Sequence, residues 1–243
     1  MTGSAVLMDR IYRHQRHFYD VTRKYYLLGR DRLIGRLAPP PGSRALEIGC
    51  GTARNLVRAA RLYPDVEFYG VDISSEMLET ARRMIVRQRL TAHIQVAQAD
   101  ATHFDPAILF GVPGFSRIFI SYRMSMIPAW QAVIAQAYAL LLPGGELHIV
   151  DFGRQERLPG AFKAGLRAWL KLFHVHPRDE LERAVEVRAG GTARPVQGAL
   201  AQQQHVAQLL LGGGFPALVV EDLGQVLPAV QSLRCLRPEC SGH

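Results

Sequence analysis

Residues 45–55 read Ala-Leu-Glu-Ile-Gly-Cys-Gly-Thr-Ala-Arg-Asn, an apolar strand that runs into a glycine turn. A second strand end, Gly70-Val71-Asp72, follows about twenty residues later. Gly49 and Gly51 allow positive φ and leave no Cβ between the backbone and a ligand. Asp72 ends the second strand, where a carboxylate can accept two ribose hydroxyls. This pattern is typical of a nucleotide-containing cofactor held at the end of a parallel sheet.

The residues around the turn indicate which cofactor it binds. A dinucleotide fold needs a third glycine in G-x-G-x-x-G, and here that position is Arg54, which disfavours a nicotinamide. Glu47, two residues before the first glycine, suits a ligand that presents a cation rather than phosphates. S-adenosylmethionine carries an ammonium group and a sulfonium but no phosphate. The turn therefore predicts S-adenosylmethionine.

At this turn the chain resembles the class I S-adenosylmethionine-dependent methyltransferases, whose first motif is an acidic residue followed by G-x-G. Later motifs follow in the family's order, and Leu142-Pro143-Gly144-Gly145-Glu146-Leu147 resembles the turn into the fifth strand. By this resemblance, Asp72 binds the ribose, Ile73 and Met77 flank the adenine, and Asp100 with Ala101 contacts the adenine amino group. The resemblance also implies that the following residues contact the cofactor: Arg30, Glu47, Gly49, Gly51, Asn55 and Ser121.

Hydrophobic patterning predicts a single α/β, Rossmann-like domain with a seven-stranded, mostly parallel sheet and helices on both faces. Strands are expected at 44–48, 67–71, 93–97, 117–121, 146–150, 217–223 and about 230–236. Helices are expected at 54–62, 75–89, 129–141 and 202–211, with Ser74 or Ser75 capping the second and Pro128 in the first turn of the third. We expect residues 1–36 to form a helical substrate or lid segment and residues 37–243 to form the cofactor domain, with 154–190 inserted.

Composition is consistent with one soluble domain. The chain has 243 residues, of which 48% are hydrophobic, and no apolar run approaches the ~20 residues that span a bilayer. The first residues lack a signal-peptide core. Three cysteines form neither an even framework nor a C-x-x-C pair, which favours a reducing cytoplasm. We interpret Cys50 as a small side chain that packs inside the glycine turn rather than as a reactive thiol.

Positive charge is concentrated on two additions to the cofactor domain. Residues 1–36 hold eight basic and three acidic side chains, and residues 154–178 hold six basic and one acidic, so each carries a net charge of +5 in a chain of +8. The second addition has an apolar stripe at helical spacing (Leu158, Phe162, Leu166, Trp169, Leu170 and Phe173). Such a basic amphipathic helix can lie on an anionic membrane surface or pack as a lid. We expect a cytoplasmic, peripherally membrane-associated protein.

The N-terminal segment resembles the N-methyltransferases of betaine-lipid synthesis, which trimethylate the homoserine amine of a diacylglyceryl lipid. The resemblance is carried by Tyr12-Arg13-His14-Gln15 and Tyr25-Tyr26-Leu27-Leu28-Gly29-Arg30, and it covers residues 8 to about 185. It implies successive methylation of a lipid head-group amine.

Amine methylation releases a proton and leaves a quaternary ammonium, which aromatic faces bind. Candidate proton acceptors are Tyr19, Tyr25, His14 and Asp20. Candidate substrate-binding residues are Tyr12, Tyr26, Tyr122 and Arg123.

Other functions remain open from the residues alone. Phosphatidylethanolamine is an alternative acceptor that differs from the homoserine lipid only in its head group. A quinone or another small molecule is an alternative acceptor for an enzyme of the same fold. RNA methylation lacks the Asn/Asp-Pro-Pro-Tyr motif after strand four, where the chain reads Ser121-Tyr122-Arg123-Met124, so no nucleic-acid partner is expected. A non-enzymatic cofactor-binding protein is the alternative of another class. No metal site is expected, because His174 and His176 point to different sides of a helix and the remaining histidines are scattered.

Overall fold

The computed structural model describes residues 30–152, 178, 180–188, 194–195 and 230–236. For 152, 182, 186–188, 194–195 and 230–236 it describes the backbone only. The predicted helix at 202–211, the predicted strand at 217–223, the amphipathic stripe from Leu158 to Phe173, and the tyrosines and histidine before Arg30 lie outside the described residues. Among the described helices, none is both long and apolar enough to span a bilayer.

Helices and strands alternate along the chain. The helices are α1 (Arg30–Arg36), α2 (Arg54–Leu62), α3 (Ser75–Arg87), α4 (Pro106–Phe110), α5 (Trp130–Ala139) and α6 (Leu181–Arg188). The strands are β1 (Arg44–Ile48), β2 (Glu67–Asp72), β3 (Ile94–Gln98), β4 (Phe115–Ser121), β5 (Leu141–Phe152), β6 (Arg194–Pro195) and β7 (Val230–Leu236).

The sheet has the order β3-β2-β1-β4-β5-β7-β6. Strands β1 to β5 are parallel, whereas β7 pairs antiparallel with β5 and β6. The chain leaves β1 toward β2 on one side and later places β4 on the other side. A crevice therefore forms outside the carboxyl ends of β1 and β4, which is where ligands bind in open α/β sheets.

Three of the described helices cover each face of the sheet. On one face, α1, α2 and α3 bury Ile34, Leu56 and Leu78 against the sheet. On the other face, α5 and α6 bury Trp130 and Leu181, and α4 packs at the edge of that core. Strands covered on both faces read as nearly continuous apolar runs, which explains why β1 and β4 were predictable.

Several predicted boundaries need correction. Helix α3 ends at Arg87 rather than 89, and α5 begins at Trp130 with Ala129 as its N-cap, so Pro128 precedes the helix instead of lying in its first turn. Strand β5 begins at Leu141, the last residue of the helix that was predicted at 129–141. The five-residue α4 was not predicted, although Asp105 caps it and Pro106 starts it. Strand β6, at Arg194–Pro195, was also not predicted.

Part of the predicted 154–190 insertion belongs to the core. Leu181 and Val185, one helical turn apart on α6, are completely or almost completely buried. Arg178 donates through Nε to the carbonyl of Met124 at 3.2 Å and through Nη2 to that of Ile127 at 3.0 Å. These contacts fasten the start of α6 to the segment that follows β4.

A buried ionic cluster fastens α1 to the sheet at the end opposite the crevice. Arg117 donates to the carbonyls of Leu37 at 2.9 Å and Ala38 at 3.2 Å, and its Nη2 lies 3.4 Å from Oε1 of Glu146. The other oxygen of Glu146 is 3.0 Å from Nε2 of His148. Because Arg117 and Glu146 share a register position between β4 and β5, the strand pairing itself brings the charges together.

Candidate cofactor site

The glycine turn after β1 is pinned to the end of β2. The amides of Gly49 and Cys50 both donate to the carbonyl of Val71, at 2.8 and 3.0 Å. Gly49 and Gly51 have φ of 74° and 54°, the left-handed region that glycine adopts at no steric cost. Ala53, which is the N-cap of α2, also has a left-handed backbone, with φ of 62°. The turn therefore presents bare backbone to the crevice.

Gly70 and Cys50 make a close contact beneath this turn. A Cβ on Gly70 would lie 2.6 Å from Cδ1 of Leu56 and 2.9 Å from Sγ of Cys50. Burial, followed by the charges of Asp72 and Glu47, raises the pKa of the Cys50 thiol well above its ordinary value. Cys50 thus fills space as an unreactive thiol, as the sequence indicated.

Glu47 is a buried carboxyl with one oxygen unsatisfied. Its side chain is 1% exposed, and Oε1 accepts a hydrogen bond from Nδ2 of Asn55 at 2.6 Å. Within the described part of the chain, Oε2 has no hydrogen-bond partner. Burial raises the pKa of Glu47 to about 8, and the hydrogen bond from Asn55 and the charges of Arg123 and Arg30 offset only part of that rise. A cationic ligand group beside Oε2 would supply the missing partner and favour the ionised carboxylate.

Asp72 joins the glycine turn to the start of α3. Its Oδ2 accepts from the amide of Gly51 at 2.8 Å, and its Oδ1 accepts from the amide of Ser74 at 3.0 Å. Both backbone donors hold the carboxylate rigidly, while each oxygen keeps a lone pair for a further donor. Asp72 therefore supports the turn in addition to its predicted contact with a ribose.

The residues predicted at the adenine lie along the ends of β2 and β3. Met77 is buried on the first turn of α3, where Ser74 accepts its amide at 3.3 Å, and Ile73 is half-buried. Asp100 is exposed, and its Oδ1 already accepts from the amide and hydroxyl of Thr102 at 2.9 and 2.7 Å. Ala101 is half-buried. Their contacts with an adenine stay predictions.

The end of β4 forms the other wall of the crevice. Ser121 is buried with its hydroxyl unpartnered. Tyr122 follows with φ of 53°, and burial together with the Asp151 charge raises the pKa of its phenol well above the ordinary value. The phenol of Tyr122 therefore stays protonated at neutral pH.

Arg123 lies on the glycine turn. Its Nε donates to the carbonyl of Gly49 at 2.8 Å, and its Nη2 is 3.7 Å from Oδ2 of Asp72. The sequence predicted a substrate contact for Arg123 and gave no signal for this one. The described part of the site thus combines Arg123 with Arg30, whose charge acts on both Glu47 and Tyr122.

Asp151 and Ser125 also belong to this wall, although the sequence analysis did not single them out. Asp151 is 1% exposed at the end of β5, and its Oδ2 accepts from the amide of Ser125 at 3.1 Å. The hydroxyl of Ser125 is buried without a partner. The signal was available, because an aspartate directly after an apolar strand marks the carboxyl edge of the sheet.

The predicted residues Tyr12, His14, Tyr19, Tyr25 and Tyr26 lie outside the described residues, and their roles stay predictions. Within the described part of the chain, no group of three or more His, Cys, Asp or Glu side chains is placed to hold a metal ion.

The comparisons with known proteins agree with this geometry. The family described as Methyltransferase domain matches residues 45–145, from β1 to the start of β5. This match covers the glycine turn and the first four strands, and it supports the resemblance to S-adenosylmethionine-dependent methyltransferases. A demethylmenaquinone methyltransferase from Geobacillus sp. (strain WCH70) is 26% identical over 143 residues, 58% of this chain and 59% of that protein. The chain spans about three fifths of the length of the curated relatives it matches.

Solved structures show the same fold. Phosphoethanolamine N-methyltransferase 2 from Haemonchus contortus, in complex with S-adenosyl-L-methionine, aligns with a TM-score of 0.63 and 18% identity over 86% of this chain and 52% of that one. Geranyl diphosphate C-methyltransferase from Streptomyces coelicolor A3(2), in complex with S-adenosyl-L-homocysteine, aligns with a TM-score of 0.61 and 11% identity over 86% and 78%. The betaine-lipid specificity expected from the N-terminal segment is not supported by these relatives.

Two features of the glycine turn fit S-adenosylmethionine. Oε2 of Glu47, which has no hydrogen-bond partner among the described residues, could accept a hydrogen bond from the cofactor's ammonium group. Gly49 and Gly51 carry no Cβ on the side of the turn that the Arg123 side chain covers in this structure. The contact of Asp72 with a ribose stays a prediction. These residues would hold the cofactor, which supplies a methyl group on a positively charged sulfur.

Proposed function

We propose that the protein transfers methyl groups from S-adenosylmethionine to a lipid-soluble acceptor at a membrane surface. The single observation that carries the cofactor assignment is the buried Glu47 carboxyl with one oxygen unpartnered beside a bare glycine turn. Methyl transfer from a sulfonium requires mainly positioning and exclusion of water, since the leaving group needs no proton. The buried walls formed by Ser121, Tyr122 and Asp151 suit that requirement.

Two acceptors are supported by different observations. The curated relatives favour a quinone, because several of them are named demethylmenaquinone methyltransferases. The Tyr-Arg-His-Gln and Tyr-Tyr-Leu-Leu-Gly-Arg runs of the N-terminal segment favour the amine of a lipid head group, either diacylglyceryl homoserine or phosphatidylethanolamine. Both acceptors are lipids, so both fit a protein that works at a membrane.

The two acceptors make different demands on the site. Carbon methylation needs the reduced quinol, because a quinone ring carbon is itself electrophilic: a quinol hydroxyl loses its proton, the ring carbon attacks the methyl group, and the ring proton then leaves. An amine needs only to lose its ammonium proton before attack. For an amine, Tyr19, Tyr25, His14 and Asp20 are proposed as the group from which a proton acceptor comes. Asp151, which is almost completely buried beside the end of β4, joins these candidates on its position in the crevice.

One experiment separates the candidates. The full chain is incubated with methyl-labelled S-adenosylmethionine and, in parallel, with a demethylated quinone reduced to its quinol by dithionite, diacylglyceryl homoserine, phosphatidylethanolamine and tRNA. Label in the quinone assigns carbon methylation, and label in either amine lipid assigns N-methylation. Label in tRNA, or in none of the four acceptors, contradicts the proposal.

The membrane association has its own test. Neutralising Lys163, Arg167 and Lys171 with glutamine should lower activity on acceptor embedded in anionic vesicles, where each basic residue contributes roughly 1 kcal/mol. Activity on the same acceptor in neutral detergent micelles should stay unchanged. Equal loss in both assays would assign the three side chains to folding or to a lid.

A further inference from the structure

The side chain of Arg123 lies in the space that the cofactor needs. A Cβ built on Gly49 would meet Cγ of Arg123 at 2.5 Å, and one on Gly51 would meet Nη2 at 2.6 Å. A ligand is expected to approach the turn on the side where these two glycines lack a side chain. The side chain of Arg123 occupies that space.

The contacts of Arg123 are made with the groups that the cofactor would use. Nε donates to the carbonyl of Gly49 at 2.8 Å, and Nη2 lies 3.7 Å from Oδ2 of Asp72, the oxygen predicted to face the ribose. The charge of Arg123 also lowers the pKa of Glu47. The guanidinium therefore provides, at this turn, the positive charge that the cofactor's cationic groups would provide.

S-adenosylmethionine carries an ammonium, a sulfonium and a carboxylate, so its net charge is positive, and a guanidinium in the space that its cationic groups need would clash with them and repel them. Arg123 must therefore move when the cofactor binds. Its side chain is 7% exposed, and moving a buried guanidinium away from its partners is strongly unfavourable unless another anion receives it.

The acceptor can supply that anion. Arg123 lies just after the end of β4, on the crevice wall where the acceptor is expected. A guanidinium binds carboxylate and phosphate groups bidentately. The amine lipids considered above carry a carboxylate or a phosphate near the amine, whereas the quinone ring carries neither. Arg123 would therefore respond to one of the two acceptor classes and not to the other.

We infer that Arg123 is a displaceable occupant of the cofactor site, and that an anionic group on the acceptor takes its guanidinium when the cofactor binds. This inference rests on the proposed function. It makes Arg123 a positioning residue that couples the binding of the two substrates and selects an acceptor with an anionic group beside its amine.

Calorimetry with S-adenosylhomocysteine tests the displacement. Arg123→Ala and Arg123→Gln should each bind this ligand about tenfold more tightly than the native chain, the size expected from losing one competing charge-assisted hydrogen bond. Arg87→Ala, which removes the same charge from the exposed last turn of α3, should leave the affinity unchanged. Thermal unfolding checks that each variant is folded. If one of the two Arg123 variants does not fold, the other still provides the test. Equal or weaker binding by both Arg123 variants overturns the inference.

Two soluble probes test the coupling and distinguish the source of the anion. Homoserine, a carboxylate amine, and phosphoethanolamine, a phosphate amine, are each added at saturation to the native chain. One of them should tighten binding of S-adenosylhomocysteine severalfold, and neither should do so in the Arg123 variants. If neither probe changes the native affinity, the acceptor half of the inference is wrong. If neither the native chain nor any variant binds S-adenosylhomocysteine, the proposed function fails first.

Discussion

Nδ2 of Asn55 donates to Oε1 of Glu47 at 2.6 Å, and this is the only hydrogen bond that the described residues give to the buried carboxyl group of Glu47. The two residues lie on either side of the glycine turn, at the end of β1 and the start of α2. Asn55 therefore fixes the orientation of a carboxyl group whose second oxygen faces no partner. This pair makes the cofactor site sensitive to pH.

Binding of S-adenosylmethionine should strengthen as pH rises from 6 to 8. Burial raises the pKa of Glu47 to about 8, so the acid is largely neutral at pH 6, whereas a cationic ligand favours the carboxylate. The dissociation constant should fall by up to about tenfold per pH unit below that pKa. Calorimetry across this range measures the effect, and Glu47→Gln should bind weakly with no such slope.

The raised pKa of Glu47 has the opposite effect on the stability of the ligand-free fold. Because the pKa of Glu47 in the folded chain lies above the ordinary value of 4.5, the fold favours the neutral acid. The free energy of unfolding should therefore decrease as pH rises from 4.5 through about 8, and Glu47→Gln should remove this contribution. Urea titrations of both chains at pH 5 and pH 8.5 test the sign. A native chain that gains stability relative to Glu47→Gln over this range would contradict it.

Gly70→Ala should destabilise the fold through overpacking. The new methyl group would lie 2.6 Å from Cδ1 of Leu56, and overpacking typically costs about 1–3 kcal/mol. In a Leu56→Ala background the same change should cost less, because the nearer of the two obstructing side chains is gone and only Cys50 remains. A double-mutant cycle in urea measures the coupling, and additive costs would place the strain elsewhere.

Glu146→Ala should be the most damaging substitution in the buried ionic cluster. It leaves the Arg117 guanidinium, whose side chain is 11% exposed, without its nearest carboxylate, and breaking a buried pair typically costs about 3–5 kcal/mol. Arg44→Ala is the matched control, because its pair with Glu67 is exposed on both sides and contributes little. A loss of stability in Glu146→Ala no larger than that in Arg44→Ala would contradict this account of α1 anchoring.

Cys50 should resist thiol reagents in the folded chain. Burial raises the pKa of its thiol, so very little reactive thiolate is present at neutral pH. In a chain with Cys235 and Cys240 changed to serine, labelling by a disulfide reagent at pH 8 should occur only after denaturation. Rapid labelling under native conditions would show that the turn opens.

The glycine turn and the parallel strands were predictable because local sequence determines them. Gly49 and Gly51 adopt the left-handed backbone that only glycine takes freely, and buried parallel strands show as apolar runs. Asp72 was predictable from its place at a strand end, but its hydrogen bonds to the amides of Gly51 and Ser74 were not. Those contacts depend on how two loops meet in space.

Contacts between distant segments could not be predicted from one sequence. Arg123 reaches Gly49 across 74 positions in the chain, and only the strand order places the end of β4 beside the turn. The two-residue strand Arg194–Pro195 is too short to show an alternating pattern, and its proline is tolerated because the strand lies at the sheet edge. Leu181 and Val185 appeared as part of an insertion, because helical spacing does not reveal which core a helix joins.

The most direct test of the central claim is calorimetric titration of S-adenosylmethionine into the native chain and into Gly49→Ala, with NADH as the comparison ligand. The native chain should bind one S-adenosylmethionine and no NADH. Gly49→Ala should remain folded and lose this binding, because the turn has φ of 74° and a new Cβ enters the ligand space. Binding of NADH in place of S-adenosylmethionine, or equal affinity in Gly49→Ala, would contradict the account.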